Sequence, residues 1–376
     1  MNQRLHRLWL LVVSLLWGAC SASEEHLSPV SVPEKGAYST LSEWNLFRDL
    51  PSLAPNSGVI PYEVISPLFS DYAWKHRFMY VPEGTQIHYR ATEAWEFPIG
   101  SVLVKVFAYP HDQGGEGSKA AGGGERILET RLLIHRSEGW VPEVYVWNDE
   151  QTEAERVVSG ELIELAHADA EGREVLFEYG VPTRGECRKC HGAVSPVEGA
   201  LATRTLGPMT PQLNRTNDYG NGPENQVTYL WNQGLLDQQP EPEQSRVTYV
   251  DPADEQAPLG LRARSYLASN CSNCHAEHGE ALDKRLWLDF AHTVDTADPY
   301  GYGVCKRPTS AGNAECSAQH DVVPGQPEDS LLICRMQSVG KGQMPPLGRN
   351  LVHAEGAALI AAWVESMTFE ACTVAP

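Results

Sequence analysis

The sequence predicts a multidomain protein in which an N-terminal, mainly-β, sandwich-like domain precedes two small all-α domains. Three observations lead to this fold class. Between about residues 61 and 179, apolar side chains alternate with a period of two, which is typical of half-buried strands. A Cys-x-x-Cys-His pentad then occurs twice, at residues 187–191 and 271–275. Apolar residues at helical spacing flank the pentads, and an acidic, proline-rich segment separates them.

The N-terminus carries the features of an export signal. Two arginines precede an apolar run, so we expect residues 1–19 to be a signal peptide that is too short to span a bilayer. Residues 17–20 resemble a bacterial lipobox, with Trp17 where leucine is preferred, and Cys20 would become the lipid-anchored first residue. The alternative is cleavage near Ala22 and a soluble periplasmic protein. Residues 20–37 are polar and are expected to form a tether.

The predicted β domain spans residues 38–180. Thr40 and Glu43 form a capping-box pattern, which predicts a short helix at its start. An antiparallel sandwich or open barrel would follow from strand-like runs at 102–107, 128–134, 144–147, 161–166 and 174–179. Four histidines of this domain match no metal-ligand spacing, so we interpret them as surface or core residues rather than as a copper or zinc site. They are His76, His88, His135 and His167.

The two pentads indicate covalent haem attachment. Two thiols on one turn can each form a thioether to a haem vinyl group, and the next histidine can bind the iron. The predicted attachment residues are Cys187, Cys190 and His191 for haem 1, and Cys271, Cys274 and His275 for haem 2. With 9 Cys and 13 His in 376 residues, chance would give about 0.007 such pentads. Zinc also uses Cys-x-x-Cys pairs, but the adjoining histidines favour two haem c groups.

Each pentad is expected to lie in a cytochrome c-type haem domain. The haem 1 domain would span residues 181–246 and end with a helix within 225–236. The haem 2 domain would span residues 247–376, with a helix from about residue 260 into Cys271. A second helix, from about residue 353 to 367, would close it.

Met344 is the predicted distal ligand of haem 2. It lies in a Gly/Pro-rich loop before the closing helix, which is where class I cytochromes c carry their thioether ligand. Met336 is the competitor, but a helix beginning at Pro327 would make Met336 a core residue.

The sixth ligand of haem 1 remains open. Met209 is the next thioether after His191, but it follows a Gly-Pro step that is typical of the proximal side of a haem. The alternatives are His76 or Met79 from the β domain, or a five-coordinate iron. This ligand decides the function, because an open iron can bind peroxide or a diatomic gas.

Four further cysteines predict disulfides, since disulfides persist in exported proteins. They are Cys305, Cys316, Cys334 and Cys372, and three pairings are possible. We favour Cys305 with Cys316, closing a Gly/Pro-rich loop, and Cys334 with Cys372, tying a helix to the C-terminal tail.

The formal net charge of −20 limits the choice of partners. It argues against nucleic acid and anionic lipid, and it favours a redox protein with a basic docking face, attracted by electrostatic steering. Lys75 and Arg77 are basic residues that could meet a haem propionate or a substrate. Ordinary surface ion pairs are the other interpretation of these two residues.

Several further motifs extend over nearly all of the mature chain. They lie at residues 67–73, 129–132, 212–214, 225–226, 323–330 and 344–348. Together with the pentads, they make the chain resemble a family of uncharacterised bacterial dihaem c-type cytochromes that are often described as lipoproteins. The resemblance implies a β domain followed by haem domains, and a role in electron transfer with no defined substrate.

Two functions follow as expectations. The first is an exported electron carrier, periplasmic or lipid-anchored to a bacterial membrane. The alternative is a dihaem peroxidase-like enzyme with an open or displaceable position on haem 1. A structural lipoprotein without haem is a third hypothesis.

Overall fold

The computed structural model describes residues 28–110, 124–169, 171–194, 201–294, 298–309, 316, 318–368 and 372. The predicted signal peptide and Cys20 lie outside these residues. Part of the predicted tether packs on the β sheet, because Val30 and Val32 contact its apolar core and Arg136 donates to the carbonyl of Pro33. Within the described ranges, no helix is long and apolar enough to cross a membrane.

The chain begins with β strands and adds helices later. The strands are β1 (Phe47–Asp49), β2 (Ala54–Pro55), β3 (Val59–Pro61), β4 (Trp74–Tyr80), β5 (Val102–Pro110), β6 (Glu125–Arg136), β7 (Gly139–Trp147), β8 (Ala154–Val157), β9 (Glu161–Ala168), β10 (Glu174–Val181), β11 (Gly192–Val194), β12 (Leu201–Thr203), β13 (Thr216–Asp218) and β14 (Pro223–Asn225). The helices are α1 (Arg184–His191), α2 (Thr210–Leu213), α3 (Gln226–Asn232), α4 (Leu259–Asn270), α5 (Leu331–Gln337) and α6 (Ala354–Glu365).

Strands β3 to β8 form one six-stranded antiparallel sheet in which each strand pairs with the next along the chain. Alternation along β5 directs Val102, Val104 and Val106 to one face, where they join the first apolar core. The predicted helix is a single 3₁₀ turn, Ser42–Trp44, which Thr40 precedes and which contains Glu43. Trp44 closes this core, and its indole donates a 2.7 Å hydrogen bond to the hydroxyl of Tyr145.

The other face of the sheet carries two separate apolar clusters. The first joins the sheet to residues 181–246, which we call the haem 1 segment, through Met79, Leu103, Leu133, Leu213, Val227, Leu230 and Leu236. The second covers the sheet with the β9–β10 hairpin through Phe107, Tyr109, Leu128, Val144, Leu165 and Tyr179. Cys187 of α1 packs against this second cluster.

The prediction of two all-α domains after a sandwich is wrong. The structure is mainly β, with 21% helical residues and six α-helices in the part of the chain that it describes. The haem 1 segment contains β11 to β14 beside three short helices. The physical reason is that its apolar side chains, including Leu213 and Leu230, are buried against the sheet and do not form a helical core of their own.

Residues 247–376, the haem 2 segment, have their own apolar core. Helices α4, α5 and α6 contribute Leu267, Ile333 and Ile360 to it, and the loops between them contribute Leu288 and Val304. Helix α4 ends at Asn270, directly before Cys271, and α6 is the predicted closing helix. Long irregular stretches separate these helices, so the segment is not all-α either.

The four disulfide cysteines are paired, but not as we favoured from the sequence. Cys305 bonds to Cys372, and Cys316 bonds to Cys334. The favoured pairing was therefore wrong. Parallel bridges explain the outcome, since Val304 pairs with Val322 and His320 with Ser330. This arrangement places the start of α5, rather than Cys305, beside the segment that contains Cys316.

The loop between β3 and β4 links the sheet to the haem 2 segment. The amide of Phe69 donates to the side-chain oxygen of Asn270 at 2.7 Å, and the hydroxyl of Ser66 donates to the carbonyl of Ser265 at 3.0 Å. The Phe69 ring stacks on the imidazole of His353 with centroids 4.1 Å apart. Both bonded partners belong to α4, so the sheet holds the helix that leads into the second pentad.

Candidate functional site

The cysteines divide into two chemical classes. Cys187, Cys190, Cys271 and Cys274 are free thiols, whereas the other four described cysteines are bonded in disulfides. The free set consists of the pentad cysteines and nothing else among the described residues. The pairing therefore leaves both pentads chemically available for thioether formation.

The first pentad lies on a helix that its own sequence starts. Thr183 is the N-cap of α1, and its hydroxyl accepts from the amide of Glu186 at 3.1 Å while the Glu186 carboxylate accepts from the amide of Thr183 at 2.9 Å. This reciprocal capping box fixes the first turn. The helix ends at His191, so that Cys187 and Cys190 lie on consecutive turns of one short helix.

The imidazole of His191 is oriented as an iron ligand requires. Its Nδ1 donates to the backbone carbonyl of Arg204 at 2.9 Å, which leaves the lone pair of Nε2 available. Burial lowers the pKa of His191 to about 4, against the smaller effect of the hydrogen bond to Arg204. The ring is therefore neutral at pH 7, and neutral imidazole is the form that binds metals.

The second pentad forms a tight turn after α4. The amide of Cys271 donates to the carbonyl of Leu267 at 2.8 Å, and the amide of His275 donates to the carbonyl of Cys271 at 2.9 Å. Burial raises the pKa of the Cys271 thiol to about 12 and lowers that of His275 to about 4. Gly279 completes the turn, because an added Cβ would overlap the carbonyl of Cys274.

The two pentads lie against each other. The thiol of Cys274 is 3.6 Å from the carbonyl oxygen of Lys189. The neighbouring side chain of Cys274 lowers the pKa of the Cys190 thiol. Residues that are more than eighty positions apart in the sequence thus form one site between the haem 1 and haem 2 segments.

Arg204 bonds to both pentads. Its backbone carbonyl accepts from His191, and its guanidinium donates to the carbonyl of Asn273 at 3.2 Å. The sequence reasoning did not identify Arg204. Its only local signal is the strand β12 that it follows, which pairs with β11 directly after His191.

Arg349 shapes the loop that carries Met344. The guanidinium is buried and donates to five backbone carbonyls, those of Arg335, Met336, Ser338, Met344 and Leu351. The amide of Met344 also donates to Arg335 at 3.0 Å. The charge of Arg335 contributes to the lowered pKa of His275, after burial. Met344 and His275 therefore both neighbour Arg335.

The other methionines occupy different settings. Met336 lies in α5 and is buried in the core of the haem 2 segment. Met79 is fully buried between the sheet and the haem 1 segment. The thioether of Met209 lies 3.7 Å from the hydroxyl of Tyr249, which donates to it. The structure therefore places the thioether of Met209 beside Tyr249.

The four β-domain histidines are dispersed. His76 pairs with Glu125, His88 pairs with Asp237, and Nδ1 of His135 donates to the carbonyl of Phe97. His167 stacks on Tyr72 with centroids 4.1 Å apart. Throughout the described ranges, no group of three or more His, Cys, Asp or Glu side chains is placed to hold a metal ion.

The donor set fits covalently attached haem. Cys187, Cys190 and His191 would hold one group, and Cys271, Cys274 and His275 would hold the other. The decisive observation is the hydrogen bond of His191 to Arg204, because it leaves Nε2 free to bind iron. Comparisons with protein-family models, with curated proteins and with solved structures find no match to this chain.

Proposed function

We propose that this protein is an exported dihaem c-type cytochrome that transfers electrons between periplasmic or membrane redox partners. The contact between the two pentads carries the proposal, because two attachment sites that touch through Cys274 and the carbonyl of Lys189 favour electron exchange between them. The free thiols and the neutral imidazoles support it. A bound haem supplies an iron that accepts and returns one electron at a time.

Each of the site residues has its own role in this proposal. His191 and His275 would each bind the iron of one haem, and Met344 would be the second protein ligand of haem 2. Arg349 holds the Met344 loop in shape through backbone carbonyls. Arg204 orients His191 and ties it to the second pentad. The net charge of −20 favours a partner with a basic docking face, and lipid attachment at Cys20 would hold the protein at a membrane.

The first experiment counts haems. The chain is exported in a bacterium that matures haem c, then stained for haem on a denaturing gel and weighed by mass spectrometry. We expect two covalent haems, and one haem in each of the double variants Cys187→Ser/Cys190→Ser and Cys271→Ser/Cys274→Ser. The matched control, Cys316→Ser/Cys334→Ser, should keep both. A wild-type chain without stain contradicts the proposal.

A second experiment identifies the distal ligand of haem 2. Methionine ligation raises the reduction potential relative to a second histidine. Met344→His should therefore lower one of the two potentials and leave the other in place. Met336→Leu is the control, because Met336 is a core residue and the exchange conserves volume. If Met336→Leu moves the potential and Met344→His does not, the assignment is reversed.

One observation keeps the peroxidase-like alternative in view. The thioether of Met209 accepts a hydrogen bond from the hydroxyl of Tyr249, so in this alternative Met209 would not bind haem 1, whose iron would keep an open position. Carbon monoxide added to the reduced protein tests for an open iron, and peroxide consumption with a reduced donor tests for turnover. If carbon monoxide changes the spectrum, if the change is lost in Cys187→Ser/Cys190→Ser, and if the wild type consumes peroxide, the electron-carrier proposal is wrong and the peroxidase-like function replaces it.

A further inference from the structure

Three cations stand side by side in the middle of the sheet. In the antiparallel register, Arg77 of β4 lies directly opposite Lys105 of β5, and Lys105 lies directly opposite Arg131 of β6. We call Arg77, Lys105 and Arg131 the cationic row. Residues that are directly opposite in an antiparallel pair have neighbouring Cβ atoms on one face, and like charges there are destabilising. Two such pairs in succession require an explanation in a chain of net charge −20.

The row lies between the two apolar clusters of that face. Leu103 belongs to the cluster on one side of Lys105 along β5, and Phe107 belongs to the cluster on the other. Arg77 is 7% exposed, and the side chain of Arg131 is 27% exposed. These two cations are thus partly or fully removed from water. Burying a cation without a counter-charge costs free energy.

Among the described residues, Glu129 is the one carboxylate that forms an ion pair with the row, so the charges of two of its three cations are left without one. Glu129 is fully buried and bonds to the guanidinium of Arg131 through both of its oxygens, at 2.8 and 2.5 Å. Its remaining capacity is taken by the hydroxyl of Tyr179 at 2.7 Å. Arg77 donates to the backbone carbonyl of Lys75. Lys105 has a ring contact, but no carboxylate among the described residues pairs with it.

The ring of Phe107 contacts two cations of the row, together with Lys75, beside the first pentad. The guanidinium of Arg131 lies 4.1 Å from the centroid of Phe107, and the amines of Lys105 and Lys75 lie at 5.8 and 5.6 Å. Phe107 belongs to the cluster against which Cys187 packs. Cation–π contacts lessen the cost of burying these cations but add no negative charge.

We propose that the cationic row is a carboxylate-binding surface and that its ligand is the propionate pair of a haem attached at Cys187 and Cys190. Propionates are the anionic part of haem c, and a row of Arg and Lys supplies the charge-assisted hydrogen bonds that carboxylates accept. The inference rests on the proposed function. It differs from the surface-ion-pair interpretation of Arg77, because Arg77 is buried and has no ion pair among the described residues.

The first test measures the two reduction potentials in the haem-loaded protein. A cation near haem 1 favours the more negative, reduced state, so Lys105→Gln should lower the potential of one haem. We expect a change of up to roughly tenfold in the reduction equilibrium, or about 59 mV for one electron. Lys105→Arg keeps the positive charge, so its reduction potentials should stay close to those of the wild type. Arg173→Gln, at an exposed residue of the β9–β10 turn, removes the same charge and should leave both potentials unchanged.

The second test compares stability with and without haem 1. In the Cys187→Ser/Cys190→Ser background the propionates are absent, so Lys105→Met should raise the denaturant midpoint by removing repulsion. In the haem-loaded wild type, the same substitution should lower the denaturant midpoint, because it removes a cation that the propionates would bind. An effect of the same sign in both backgrounds overturns the proposal, and this readout does not depend on activity.

A third arm separates the two sources of carboxylate. Sodium acetate and sodium succinate are titrated into the haem-loaded wild type while the spectrum and both potentials are followed. No saturable change supports the propionates as the ligand. A saturable change that Lys105→Gln abolishes assigns the row to a free anion and overturns the propionate assignment. A wild type without haem stain overturns the proposed function as well, whereas a stained protein whose potentials ignore Lys105→Gln overturns this inference alone.

Discussion

The carboxylate of Asp71 accepts a 2.7 Å hydrogen bond from the backbone amide of Asn350. The same oxygen accepts from the amide of Leu351, also at 2.7 Å. Asp71 is 2% exposed and lies in the loop that joins β3 to β4. The sheet therefore holds the backbone directly after the Met344 loop and helps to fix the position of that loop.

Removing this acceptor should destabilise the protein. Asp71→Ala leaves two part-buried amides without a partner, which should lower the free energy of unfolding by about 2 kcal/mol. Asp71→Asn is the matched variant, because it keeps an oxygen at the same place and should lose less. Denaturant unfolding of the haem-loaded protein measures both. Equal losses for the two variants would show that the hydrogen bonds to Asn350 and Leu351 are not what matters.

The imidazole of His353 should make stability depend on pH. Burial lowers the pKa of His353 to about 4, and its side chain is 26% exposed. Between the ordinary pKa of about 6.5 and the folded value, the unfolded chain binds more protons than the folded chain. The contribution of His353 to the free energy of unfolding is therefore fully present above about pH 6.5. It falls by about 3 kcal/mol as the pH decreases from 6.5 to 4.

The test compares unfolding curves of wild type and His353→Gln from pH 7 to pH 4. The variant has no proton to bind at this position, so the part of the acid loss that belongs to His353 should disappear. His278→Gln changes an exposed histidine and should keep the wild-type slope. An identical slope in wild type and His353→Gln would refute the assignment of this pH dependence to His353.

Arg349→Lys should loosen the Met344 loop. Lysine keeps the charge but presents a compact ammonium, which cannot reach the five carbonyls that the guanidinium fork joins. We expect a loss of about 3 kcal/mol in unfolding free energy and a lower potential for the methionine-ligated haem. Arg173→Lys, on the surface, should change neither. An unchanged reduction potential in Arg349→Lys would show that the shape of the loop does not affect iron binding by Met344.

The two disulfides should contribute unequally to the free energy of unfolding. Cys305–Cys372 closes a stretch of 67 residues and Cys316–Cys334 one of 18. By chain entropy, their loss should cost about 4 and about 3 kcal/mol respectively. Paired Cys→Ser variants with denaturant unfolding give the two values. Peptide mapping of the non-reduced protein checks the pairing, and a peptide that joins Cys305 to Cys316 would contradict it.

Local patterns predicted a good part of this molecule. Alternation along residues 102–107 places them in β5, and helical spacing identified α4 and α6. The pentads were found because haem attachment is coded within five consecutive residues. The core position of Met336 followed in the same way from its place in a helix.

The rest depends on contacts between distant residues. The apolar residues of the haem 1 segment, such as Leu230, are buried against the sheet, and no local pattern distinguishes this from packing in a separate helical domain. Disulfide pairing has the same origin, since connectivity cannot be deduced from spacing. Predicting the cationic row requires the registers of two strand pairs, which the sequence does not contain locally. One sign of it was present in the sequence, because Lys105 is the single charged residue in the otherwise apolar strand β5.

Arg349 also has a consequence for how this chain can vary. It binds main-chain carbonyls, which every amino acid possesses, so the side chains between residues 337 and 343 are under little demand from it. The exposed positions Val339 and Lys341 should therefore tolerate substitution as long as the arginine persists. A deep mutational scan should show tolerance at these two positions and intolerance at Arg349, whose loss would release the main chain of the whole loop.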